Sequence, residues 1–102
     1  MTASFDFEAQ LWEWEGKAAW HFVTVPADAS DEIAARMDGF TRGFGSVRVR
    51  VRIGGSDWST SVFPDSKRGA YILPVKKAVR EAEGLSAGDD ARVTLELVDL
   101  RP

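Results

Sequence analysis

The sequence predicts a mainly β (α+β) domain: a six-stranded β-barrel of two pseudo-symmetric halves, carrying two short helices. Three observations lead there. Six short stretches are apolar or alternate apolar with polar residues, and glycine or proline punctuates the chain between them. Two of these strands run into a proline and then a short stretch with helical spacing. The order strand, turn, strand, proline, helix, glycine, strand also occurs twice, with Pro26 and Pro74 lying 48 residues apart. Each half has a sheet face that it cannot bury alone. Closing the halves on one another covers both faces and removes most sheet edges.

The elements follow in order. Phe5, Phe7, Ala9 and Leu11 share one face of a first strand, with Asp6, Glu8 and Gln10 on the other. Trp12 and Trp14 fall on that polar face, so either a bulge intervenes or two aromatics lie near the surface. Glu15-Gly16-Lys17 is a hairpin turn, and Ala19 to Val25 is a strand apolar on both faces that stops at Pro26. Ser30 reads as an N-cap followed by Asp31 and Glu32, with Ile33, Ala34 and Met37 as the apolar stripe and Gly39 as the end. Thr41 to Gly45 is a loop. Val47, Val49, Val51 and Ile53 alternate with Arg48, Arg50 and Arg52 in a third strand, which Gly54-Gly55-Ser56 turns into Trp58 to Phe63. Pro64 to Gly69 is a longer turn, and Ala70 to Leu73 a fifth strand. The second helix follows Pro74 and ends at Gly84. Gly88-Asp89 then starts the last strand, where Ala91, Val93, Leu95 and Leu97 point inward.

Length and composition set the bounds. A chain of 102 residues is one domain, 1–102, with a modest core. There is no cysteine, which excludes disulfides, thiolate metal sites and a cysteine nucleophile and fits a cytoplasmic location. No basic segment followed by an apolar run opens the chain, and no apolar stretch reaches the roughly 20 residues that span a bilayer, so no membrane association is expected. The net charge of −3 is unevenly spread: −6 over residues 1–41, +7 over 42–80 and −4 over 81–102. A basic middle folded between acidic flanks accounts for this, and a basic face for a phosphate-bearing partner is the sharper alternative.

Two resemblances rest on particular residues. Leu73-Pro74, Lys76-Lys77, Arg80, Gly84-Leu85 and Gly88-Asp89 resemble the swapped-hairpin module of AbrB- and MazE-type regulators, in which a proline starts a short basic helix. Over nearly all of Phe5 to Leu97 the chain is more similar to a small prokaryotic domain-of-unknown-function family with a double-split β-barrel fold. The matching pieces are Trp20-His21-Phe22, Gly45-Ser46-Val47, Thr60-Ser61-Val62-Phe63-Pro64 and Gly69 to Arg80. The first resemblance implies DNA binding by an intertwined dimer. The second implies a fold more firmly than an activity. Because this chain carries both halves, a monomer is expected, with a dimer as the alternative.

Candidate site residues are few. Lys76, Lys77 and Arg80 begin the second helix, and with Arg68 and Tyr71 they form a candidate anion- or partner-binding set. A solvated helix face with Lys77 paired to Glu81 is the plain alternative. Arg48, Arg50 and Arg52 form a candidate basic stripe, which Asp6, Glu8 or Glu96 on neighbouring strands would neutralise. His21, the one histidine, reads as a packed structural residue. Ser59, Thr60 and Ser61 lack a nucleophile-elbow context, and no metal loop or phosphate loop is present. No cofactor is expected. The function expected is a non-catalytic binding or accessory module for a protein or small-molecule partner. The alternative is an AbrB-like nucleic-acid binder using the six basic residues of the stripe and the helix, against which the acidic balance weighs. A small-substrate enzyme built on Arg68, Tyr71 and His21 is the third reading.

Overall fold

A computed structural model describes residues 3–15, 20–37 and 45–98. Its elements are β1 (Ser4–Glu13), β2 (His21–Thr24), α1 (Ala27–Arg36), β3 (Val47–Ile53), β4 (Ser56–Asp65), β5 (Ala70–Pro74), α2 (Lys77–Glu83) and β6 (Asp90–Leu97). The strands close into a barrel in the order β1-β2-β5-β4-β3-β6, with antiparallel neighbours throughout. The barrel is filled by the alternating residues the sequence marks. Val47, Val49, Val51 and Ile53 of β3 and Ala91, Val93, Leu95 and Leu97 of β6 are all buried, while Arg48, Arg50 and Arg52 face out.

Exchanging β1, β2 and β3 for β4, β5 and β6 leaves that strand order unchanged. The register has the same symmetry. Val23 lies opposite Leu73, flanked by Phe22 opposite Pro74 and Thr24 opposite Ile72. Val25 N–H donates to the Tyr71 carbonyl, and Val75 N–H donates to the His21 carbonyl, both at 2.9 Å. Val75 is therefore the counterpart of Val25, and Lys76 that of Pro26. The two prolines are not equivalent, although the sequence pattern aligns them: Pro74 sits two residues earlier in its half.

Most expected elements are present, with two shifts. Helix α1 starts at Ala27 directly after Pro26, not at Ser30. Pro26, at φ −55°, leads the chain into the helix, and Asp28 accepts a hydrogen bond from Ala29 N–H. Ser30 thus lies one turn inside, buried, and its hydroxyl donates to the Val25 carbonyl and accepts from Tyr71 N–H. Strand β4 also runs on through Pro64 and Asp65, which pair with Tyr71 and Ala70, so the turn to β5 is shorter than expected. The β1–β2 register runs through Trp12 without a skipped residue, so no bulge intervenes there. Trp12 is half-buried and Trp14 exposed. The expected turn at Gly16-Lys17, the start of the second strand at Ala19, the helix end at Gly39 and the loop residues Thr41 to Phe44 lie outside the described residues.

Candidate functional site

The site opens where the β4–β5 ladder ends. Strands β4 and β5 pair only over Phe63–Ile72, Pro64–Tyr71 and Asp65–Ala70. Continuing that register would set Ser61 opposite Pro74, which has no N–H to give. From there the two strands part, β5 leaves toward α2, and a groove of about 970 Å³ opens between them. One wall is the edge of β4, with Trp58, Ser59 and Thr60. The second is β2 and the chain before it, with Trp14, Trp20, His21 and Phe22. The floor holds Phe63, Ile72, Pro74 and Val75, and Lys76, Lys77 and Arg80 stand on the α2 side.

The groove is apolar with a cationic flank. Trp20 is 59% exposed, Phe63 41% and Trp14 39%, so large aromatic surfaces stand open to water in one place. Trp14 packs on Phe22 at 5.6 Å between ring centroids, and Trp20 on the same ring at 6.3 Å, which fixes these walls to the barrel. Lys76 and Lys77 are exposed, and Lys77 pairs with Glu81 across the helix face at 3.8 Å, as the i, i+4 spacing predicts. Arg80 is half-buried, and its Nε–H donates to the Val75 carbonyl at 3.2 Å. Asp65, the acidic residue of the lining, is drawn off by Arg68 at 3.3 Å.

The structure divides the five residues of the candidate anion set. Lys76, Lys77 and Arg80 come together along the groove. Arg68 instead lies over the Trp12 ring, 3.7 Å from its centroid, and pairs with Asp65. Tyr71 is buried in the barrel core, and that burial pushes its hydroxyl pKa above the ordinary value. Of Arg68, Tyr71 and His21, His21 lines this groove and the other two do not.

The basic stripe is held by a different acid from those the pattern offers. Arg50 and Arg52 both reach Asp57 on β4, at 3.2 and 3.7 Å, and Arg50 also lies opposite Glu96 of β6. Asp6 bonds Thr94 instead. Asp57 was hidden from the pattern because the Gly54-Gly55 turn decides which residue of β4 faces Arg52. The aromatic walls were legible as aromatics, but their convergence depends on strand order, which no local spacing gives. Among the described residues, no three metal-ligating side chains cluster. No described helix is long and apolar enough to cross a membrane.

The sequence profile of the domain-of-unknown-function family DUF1905 matches residues 7–95. No curated protein matches the chain.

Proposed function

The chain belongs to the DUF1905 family, and from its groove we propose that this member is a non-catalytic binding module for a ligand with an apolar body and a negative charge. One observation carries the reading: exposed aromatic walls and three cations, Lys76, Lys77 and Arg80, border the same groove. Apolar contact supplies affinity in such a site, and a few charges fix orientation. With Arg68 already engaged on Trp12 and Asp65, the cationic side of the groove is the α2 side.

Trp14, Trp20 and Trp58 make the test direct. Titration with anilinonaphthalene sulfonate is expected to shift tryptophan emission, and the uncharged N-phenylnaphthylamine to bind several-fold more weakly. The double variant K76E/K77E should erase that difference. Equal binding of both probes to the native protein, or no change in emission, would refute the reading.

The AbrB-like alternative has less support. Asp57 pairs with two of the three stripe arginines, and Lys76, Lys77 and Arg80 stand beside apolar rings instead of continuing the stripe. Duplex DNA binding whose affinity falls steeply with salt, and which K76E/K77E abolishes, would restore it.

A further inference from the structure

Side chains of a strand alternate between its two faces, so three successive residues line one groove only where the groove runs along the strand's backbone edge. Trp58, Ser59 and Thr60 do so here. The register says which backbone groups face it. Val98 N–H donates to the Arg48 carbonyl, so the even residues of β3 bond toward β6 and the odd ones toward β4. Across the β3–β4 pairing, Ser56, Trp58, Thr60 and Val62 answer Ile53, Val51, Val49 and Val47. Asp57, Ser59 and Ser61 therefore turn their N–H and C=O groups to the other side. Beyond Phe63, no described strand pairs there.

The other half has the same edge and guards it. The twofold relation sets Asp6, Glu8 and Gln10 of β1 where β4 has Asp57, Ser59 and Ser61. Charged side chains such as those of Asp6 and Glu8 are a standard defence of a strand edge against added strands. Strand β4 keeps only Asp57, which Arg50 and Arg52 occupy, and follows it with two serines beside exposed aromatics.

Resting on the groove reading above, we propose that the ligand is an extended peptide segment that adds to β4 as a further strand along Asp57–Ser61. Its apolar side chains lie on the aromatic walls, and its carboxyl terminus points to Lys76, Lys77 and Arg80. An unpaired edge supplies main-chain affinity, flanking pockets supply specificity, and cations capture the terminal carboxylate. The open walls suit a chain passing through better than a small molecule enclosed on most sides.

The test selects random seven-residue peptides, displayed with free carboxyl termini, against the intact protein. Enriched peptides are expected to alternate apolar residues. Amidating the terminus should weaken them about tenfold, the size of a lost charge-assisted contact. Saturation should slow amide exchange at Ser59 and Ser61 at least tenfold. Ser59→Pro removes an N–H that bonds no neighbouring strand, so its urea midpoint should hold while peptide binding disappears. Ser59→Lys, which keeps the backbone unrestricted, should weaken binding in the same direction. No enriched peptide, or binding that survives both variants, would overturn the proposal. If the sulfonate probe still discriminates by charge in that case, only the peptide assignment falls. If it does not, the groove reading falls with it.

Discussion

Helices α1 and α2 occupy equivalent places in the two halves, yet one closes its half and the other leaves a groove. The difference is concentrated at one pair of positions. Ser30 and Arg80 each stand four residues beyond the residue that opens the helix, each with its backbone N–H on that residue's carbonyl. Each side chain donates to the carbonyl of the valine just past the preceding strand, Val25 or Val75. The serine is small enough to accept Tyr71 N–H as well, and it draws α1 down onto β5. An arginine in the same place cannot accept a hydrogen bond. Its helix packs on β4 instead, with Glu83 bonded to Ser56 at the far end, and the β2 side stays open. Ser30 thus goes with a helix seated on β5 in one half, and Arg80 with a helix that has an open groove beside it in the other.

The harshest way to break the comparison is to give α1 the residue of α2. Ser30→Arg would put a guanidinium where a buried hydroxyl now bonds the Val25 carbonyl and Tyr71 N–H. The expected cost is about 4 kcal/mol, enough to leave much of the protein unfolded. Urea denaturation followed by tryptophan emission measures it. A loss under about 1 kcal/mol would show that the Ser30 seat is not what closes this half.

The second test concerns the end of α2 that does touch the barrel. Gly54 has φ +58°, and a methyl group there would collide with the Glu83 carboxylate. Gly54→Ala should cost about 2 kcal/mol, from the left-handed backbone and from displacing Glu83 off Ser56. Amide exchange across Lys77–Glu83 should rise more than across Ala27–Arg36, because only α2 is anchored through that contact. Equal increases in both helices would mean that the turn serves the barrel and not the helix.

These two sites also show how far the sequence could be read. The valines of β3 and the leucines of β6 announce their inward faces by alternation alone, and Gly84 announces its helix end: it caps α2 at φ +65°. Ser30 misleads because a serine followed by two acids is an ordinary helix start, and only the approach of β5 shows that its hydroxyl is used inside. Pro26 and Pro74 mislead for a related reason. Each stops a strand, but one opens a helix and the other ends a ladder, and that distinction lies in the partner strand. Lys76, Lys77 and Arg80 were visible as a cluster, whereas their groove depends on β2 and β4, far away in sequence.

A milder change runs the comparison in reverse. Arg80→Ser gives α2 the residue of α1 and removes one groove cation. Stability should move by less than about 1 kcal/mol, since a serine hydroxyl can also bond the Val75 carbonyl. The sulfonate probe should bind several-fold more weakly. Unchanged probe affinity would place the anion at Lys76 and Lys77 alone.

The smallest effect is set by a second equivalent pair, His21 and Tyr71, of which the first lines the groove and the second lies in the core. Tyr71 is the chain's single tyrosine, so tyrosinate absorbance reports it alone. Burial raises its pKa above 10.0 in the folded protein by disfavouring the phenolate. Below pH 10 both folded and unfolded chains hold the proton and stability is unaffected. Above it the unfolded chain releases the proton first, so stability falls with rising pH until the folded protein's own, higher pKa is passed. Tyr71→Phe should therefore flatten that part of the alkaline decline, with a change at neutral pH within about 1 kcal/mol. A decline just as steep in the variant would assign it to other groups, and an absorbance midpoint at the ordinary value would show Tyr71 to be as wet as its counterpart.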